Sequence, residues 1–209
     1  MTPASKRAGH GRAAQRLITA MAAWRAVQSG VLVVAIDGHG TAGKSTIAGD
    51  VADATGAALV HTDDFFQPVR ASAAASPAVR QYYDWRRIRT QALKPLRAQR
   101  GVAFRRFDWN RGTGLDGVVT VAPADLILLE GVFSAAPELS DLVDRSVFVD
   151  TPERERLRRL RVQVTPENWD ADWLIAQQAY FDLTRPPSSF DLIVSGTSSV
   201  RAGLQGGTP

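Results

Sequence analysis

The stretch Gly38-His39-Gly40-Thr41-Ala42-Gly43-Lys44-Ser45-Thr46 constrains this chain more than any other. It fits G-x-x-x-x-G-K-[ST] and follows residues 31–36, a continuous β-branched and aliphatic run. Such a run marks a strand buried on both faces, as in a parallel sheet. A helix is expected over 44–54, closed near Gly56. The glycines let the backbone curl so that successive N–H groups point into one hollow. The helix start adds its positive end to the same place. A plain glycine-rich turn is the competing account, but the strand–loop–helix setting and the Lys44-Ser45 pair argue for a phosphate cradle.

The rest of the chain continues a βαβ pattern. Residues 57–61 read as a second strand, 125–130 and 146–150 as two further buried strands, and 190–194 as a last short one. Helices are expected over 12–28, 85–100, from 153 with Thr151 as its cap and Pro152 in its first turn, and over 168–184. Residues 102–107 and 118–121 flank a Gly/Asn/Asp-rich stretch and predict a hairpin-like insertion. The Ala/Ser/Pro-rich segment 67–77 reads as a mobile loop. The expected fold is therefore α/β, a P-loop NTPase three-layer arrangement with a mostly parallel central sheet and helices on both faces.

A chain of 209 residues with 44% hydrophobic content suits one such domain. It is expected over 11–195, with 1–10 a disordered basic tail and 196–209 a flexible tail. The absence of cysteine excludes disulfides, thiolate metal sites and a cysteine nucleophile. No apolar run reaches the length of a membrane span, and the start lacks a secretory apolar core, so no membrane partner and a cytoplasmic location are expected. The net charge of +4 does not predict nucleic-acid binding. Its excess sits in Lys6, Arg7, Arg12, Arg16 and Arg25, before the first acidic residue, and the remainder is close to neutral.

Lys44 reaches toward the terminal phosphates of a nucleotide and the Ser45 hydroxyl offers a ligand to Mg²⁺, so ATP and Mg²⁺ are the expected cofactors. Moving a phosphoryl group to a hydroxyl also needs a carboxylate to orient that hydroxyl and accept its proton. Asp63-Asp64 follow the second strand, at the sheet edge that faces the ligand crevice, and Asp63 is the candidate base. Glu130 ends the run Leu126-Ile127-Leu128-Leu129 and is the second candidate, because a charge ending a buried strand demands a partner such as Mg²⁺. Asp63 joins Ser45 and Glu130 as a possible metal contact. Asp150 ends a strand similarly, with a cap or turn role equally open. His39 reads as a loop residue presenting its backbone. Arginines 154, 156, 158, 159 and 161 crowd one helix, and Arg158 and Arg161, three apart on one face, are the candidates for stabilising transferred charge.

Five features in order, Gly38–Ser45, Asp63-Asp64-Phe65-Phe66, Tyr83-Asp84-Trp85, Phe104-Arg105-Arg106-Phe107-Asp108-Trp109-Asn110 and Leu128-Leu129-Glu130-Gly131, resemble the uridine kinase family of P-loop kinases. That family also includes relatives acting on other small alcohols. The resemblance spans residues 31–195 and implies ATP-dependent transfer to a primary hydroxyl, with the arginine-rich helix as lid. It implies that Asp63 is the base, that Asp84 holds ribose hydroxyls, and that 107–111 form part of the nucleoside pocket. Phe66, Tyr82, Tyr83, Phe107 and Trp109 are aromatics able to stack on a flat base, and Arg111 completes the candidate acceptor set. Core packing is the competing account for Phe66 and Phe107.

The chain departs from the family where the acceptor is read. Phe66 stands in place of a usual tyrosine, Val162 in place of a common aspartate, and Asn110-Arg111-Gly112 lacks the histidine of uridine-specific members. The lid is short, running into Thr165-Pro166. A nucleoside or nucleoside-like alcohol is the leading acceptor. Pantothenate, nicotinamide riboside, a sugar phosphate or a specialised metabolite stay open, as does self-association. A regulatory nucleotide switch is the distant alternative, since neither an N-K-x-D guanine signature nor a Gln-bearing switch after Glu130 occurs.

Overall fold

The computed structural model describes residues 3–67, 82–163 and 171–197. Five strands form a parallel sheet in the order β2-β5-β1-β6-β7. They are β1 (Leu32–Asp37), β2 (Ala58–His61), β5 (Leu126–Glu130), β6 (Arg145–Asp150) and β7 (Leu192–Ser195). β1 and β5 are buried at every position, as their unbroken aliphatic runs require.

Alternate residues of β1 enter two separate cores. Leu32, Val34 and Ile36 pack with α1 (Pro3–Ala26) and α2 (Lys44–Thr55), through Leu17, Met21, Ile47 and Val51. Val33 and Ala35 face the larger core, which holds helix α3 (85–97), the antiparallel hairpin β3–β4 (Val102–Phe107 and Leu115–Val121) and helix α5 (171–184). Period-two burial on both faces makes the three layers. Both α3 and α5 contain a π-helical stretch, Ile88–Leu93 and Tyr180–Thr184.

Four expectations change. Residues 3–10, read as a disordered tail, form the first turns of α1, and their composition, with Pro3 and Gly9 among them, does not explain the extension. The helix ends at Ala26 rather than 28, leaving Val27 80% exposed instead of on the apolar face. α3 stops at Arg97, where the chain turns through Gln99 at φ 55°. The Thr151 hydroxyl, expected to cap helix α4 (Glu153–Gln163), instead bonds the phosphate loop, donating to the Ala42 carbonyl at 2.8 Å. The 67–77 loop beyond Gln67, Thr165-Pro166, Asn168 and the tail from 198 lie outside the described residues. Among the described residues, no helix is long and apolar enough to cross a membrane.

Candidate active site

The register of the sheet assembles the site. Ile36 and His61 both pair with Glu130, so the carboxyl ends of β1, β2 and β5 meet at one edge. The order β5-β1-β6 makes β1 the point where successive crossovers diverge, the position at which doubly wound sheets bind ligands.

At that edge the chain turns through Gly43 in the left-handed region (φ 101°) and enters α2 at Lys44. The first turn of α2 has no acidic residue, so its N-terminal dipole is left for an anion. The buried Lys44 ammonium donates to the His39 carbonyl at 2.9 Å. The His39 ring lies on Phe181, with centroids 4.4 Å apart, and burial lowers its pKa to about 4 with help from the Arg156 and Lys44 charges. Gly196 closes the back of the loop: a Cβ there would overlap the Ala42 carbonyl and the Thr151 hydroxyl.

Glu130 is 4% exposed and tied on both sides. Ser45 Oγ donates to its Oε1 at 3.0 Å, and His61 Nδ1 meets Oε2 at 2.7 Å. Burial works to raise the Glu130 pKa, but the His61 hydrogen bond, the Lys44 charge and Ser45 overcome it and hold the group below the usual carboxylate range. His61 is raised in turn, chiefly by that hydrogen bond. Ser45 and Glu130 together are a hard-oxygen pair, and Mg²⁺ takes few protein oxygens and fills its shell with water and phosphate oxygens, so the donor set fits it.

Asp63 lies in the single 3₁₀ turn Thr62–Phe65 after β2. Twenty residues on, Tyr83 donates its hydroxyl to Asp63 Oδ1 at 2.9 Å. The two motif segments meet as a short antiparallel bridge, Phe66 with Tyr83, extended by Gln67 N–H to Tyr82 O and Asp84 N–H to Phe65 O. Water reaches Asp63 at the mouth of the crevice, but the surrounding protein desolvates it, and this together with the Glu130 charge raises its pKa. Glu130 acts on Asp63 through its charge, whereas Ser45 bonds Glu130 directly.

Aromatic rings surround Phe66. Trp109, Phe107 and Tyr83 lie 4.8, 5.1 and 6.0 Å away between centroids. Trp173 from α5 adds a ring 6.2 Å from Phe66 and 4.8 Å from Tyr82. Phe107 is buried, as its core reading allows, whereas Trp109 is 57% exposed. Asp84 caps α3, its Oδ1 accepting from Arg87 N–H at 2.9 Å. Arg111 is 81% exposed and pairs with Asp108 at 3.4 Å, turned to its own loop.

The lid arginines divide differently from expectation. Arg158 is 61% exposed and grips Glu155 with two bonds of 2.7 Å, and Arg161 is exposed. Arg156 and Arg159 are the pair at the loop. Arg159 donates to the Thr41, Ala42 and Gly196 carbonyls, while the Arg156 carbonyl accepts from the Thr41 hydroxyl at 2.8 Å. A three-residue spacing selects a face of a helix but not which face meets the loop.

Sequence reasoning missed four residues at this edge. Asp37 is fully buried and accepts four hydrogen bonds, from the N–H groups of Gly38, Phe133 and Ala135 and the hydroxyl of Tyr180. Burial pushes its pKa up to about 6, so at neutral pH it is still mainly ionised and both oxygens accept. The signal was present: Asp37 ends a buried strand just as Glu130 does. His61, Trp173 and Gln177 carried no comparable signal, because nothing local marks them.

No family model matches the chain. It is 26% identical over 162 residues to the uridine kinase of Halobacterium salinarum, covering 73% of this chain and 71% of that protein. Among solved structures, a possible uridine kinase from Bacillus stearothermophilus superposes with a TM-score of 0.68 at 20% identity, covering 88% of this chain and 97% of that one. The D-glycerate 3-kinase of Cryptococcus neoformans gives 0.59 at 14% identity, over 92% and 97%. The resemblance read from the motifs is thus met by similarity over most of the chain, and the shared fold extends to kinases named for different substrates.

Proposed function

We propose that this chain, a uridine kinase-like P-loop kinase, transfers the γ-phosphoryl group of ATP to a primary hydroxyl of a nucleoside or nucleoside-like molecule. The observation that carries the reading is the meeting of Lys44, Ser45, Glu130 and Asp63 at one sheet edge, with Asp63 held by Tyr83 and the aromatic cluster beside it. Loop amides and Lys44 hold the phosphates of the donor. Ser45 and Glu130 would hold Mg²⁺, which when bound neutralises charge on the phosphate oxygens. Asp63 orients the acceptor hydroxyl and takes its proton as the oxygen–phosphorus bond forms and the bond to the leaving ADP breaks. Desolvation and the Glu130 charge raise its pKa, and a carboxylate of raised pKa is a stronger base than an ordinary one. Phe66 and Trp109 supply stacking faces for a flat acceptor.

A second acceptor class is favoured by specific contacts. Asp84 commits one oxygen to capping α3, Arg111 is engaged by Asp108, and Phe66 has no hydroxyl. A pocket with such few base-reading polar groups accommodates a non-nucleoside alcohol of similar size. ADP release with Mg-ATP, screened against nucleosides, vitamins and sugar acids, decides between them. Turnover with uridine or cytidine well above all others supports the nucleoside reading; turnover confined to a non-nucleoside alcohol replaces it. ATP hydrolysis indifferent to every alcohol would point instead to a nucleotide switch.

A further inference from the structure

Helices α4 and α5 hold different parts of the phosphate loop. α4 reaches Thr41 and Ala42 through Arg156 and Arg159. α5 reaches the leading half: Tyr180 bonds Asp37, Phe181 packs on the His39 ring, and Gln177 Oε1 accepts from the Gly40 N–H at 2.6 Å. The last contact stands apart. Gln177 is only 2% exposed, and its own amide nitrogen is anchored one turn back, on the Trp173 carbonyl at 3.3 Å. Its carboxamide is therefore fixed at both ends. Gly40 makes the approach close, since a Cβ there would lie 3.3 Å from Gln177 Oε1.

We infer that Gln177 is a positioning residue of the phosphate loop, holding the Gly40 amide, and with it the loop's leading half, in the shape that receives the terminal phosphates. A neutral carboxamide is suited to this place. It accepts the Gly40 bond and donates to the Trp173 carbonyl without bringing negative charge beside bound phosphates, whereas a carboxylate of the same shape would still accept from Gly40 but lose the Trp173 anchor and repel the phosphates. This inference rests on the reading of 38–45 as the ATP loop.

The test separates shape from charge. Binding of Mg-ATP, Mg-ADP and AMP is measured by calorimetry for the wild type, Gln177→Glu and Gln177→Leu, with melting temperature as the fold control. Gln177→Glu is expected to bind ATP about tenfold more weakly, ADP less affected and AMP least, because repulsion grows with phosphate charge. Gln177→Leu is expected to weaken ATP several-fold without that graded order. Unchanged relative affinities in Gln177→Glu, or an equal loss for all three nucleotides, overturns the inference.

Gly40→Ala gives an independent arm. It crowds the same contact, so in a double-mutant cycle with Gln177→Ala the two losses are expected to be less than additive, and strict additivity overturns the inference. A wild-type protein that fails to bind ATP would sink the kinase reading itself. Wild-type binding with unaltered selectivity in Gln177→Glu would sink the inference alone.

Discussion

The donor edge and the acceptor pocket are built on different physical terms. At the donor edge nearly every group has a fixed polar partner: Lys44 on His39, Ser45 and His61 on Glu130, four donors on Asp37. In the acceptor pocket the contacts are between rings, and the candidate polar groups largely serve their own elements, Asp84 as a helix cap and Asp108 as a loop cap for Asn110 and Arg111. Directional bonds to backbone amides demand one arrangement of charge. Ring packing demands only volume and flatness, and so tolerates a change of acceptor. The difference teaches where specificity can drift while the chemistry stays constant.

The largest expected effects fall on the donor edge and its base. Lys44→Ala should cut phosphoryl transfer by roughly 10²–10³-fold or more, read as ADP formation. Asp63→Asn should cut it by roughly 10²–10⁴-fold while leaving ATP affinity within a few-fold of wild type. Normal transfer in Asp63→Asn would show that the comparison assigns the wrong carboxylate.

Next comes stability. Asp37→Asn leaves one acceptor oxygen for donors that now use two, and turns an NH₂ group toward a backbone N–H or a tyrosine hydroxyl. Chemical denaturation should show a loss of about 2–4 kcal/mol, accompanied by weaker nucleotide binding. A smaller effect lies in the pH profile. Asp63 must be ionised to take a proton, and desolvation with the Glu130 charge raises its pKa, so kcat/KM should rise with pH and its acid limb should lie above the ordinary carboxylate range. A limb at the usual aspartate value would argue that Asp63 is better solvated than its surroundings indicate. The smallest change sharpens the acceptor side: Trp109→Ala should raise the acceptor KM about tenfold or less, leaving the ATP KM unaltered. An equal rise in both would show that the pocket and the donor edge are not separable.

Legibility followed locality. The loop 38–45, the buried strands and the hairpin β3–β4 were readable because each is specified by residues adjacent in sequence. Glu130 was readable because a charge at the end of an aliphatic run announces a partner, and the same rule applied to Asp37 would have found it. The contacts of His61 with Glu130 and of Gln177 with Gly40 span 69 and 137 residues, and no local pattern marks either end. The arginine helix shows the middle case. Its composition marked arginines able to stabilise transferred charge, and the rotation of α4 about its axis brought Arg156 and Arg159 to the loop and left Arg158 with Glu155.

The sequence by itself determined the phosphate loop, the α/β layering that presents it, and the carboxylates Asp63 and Glu130 at the strand ends, because backbone curl, strand burial and the cost of a buried charge are set within a few residues. Only the tertiary structure decided what holds these groups in place. Strand register set His61 beside Glu130, the bridge between 66 and 83 set Tyr83 on Asp63, and the packing of α4 and α5 chose Arg159 and Gln177 as the residues gripping the loop. Those choices depend on how whole elements rotate and pair, which is fixed by the sum of many distant contacts.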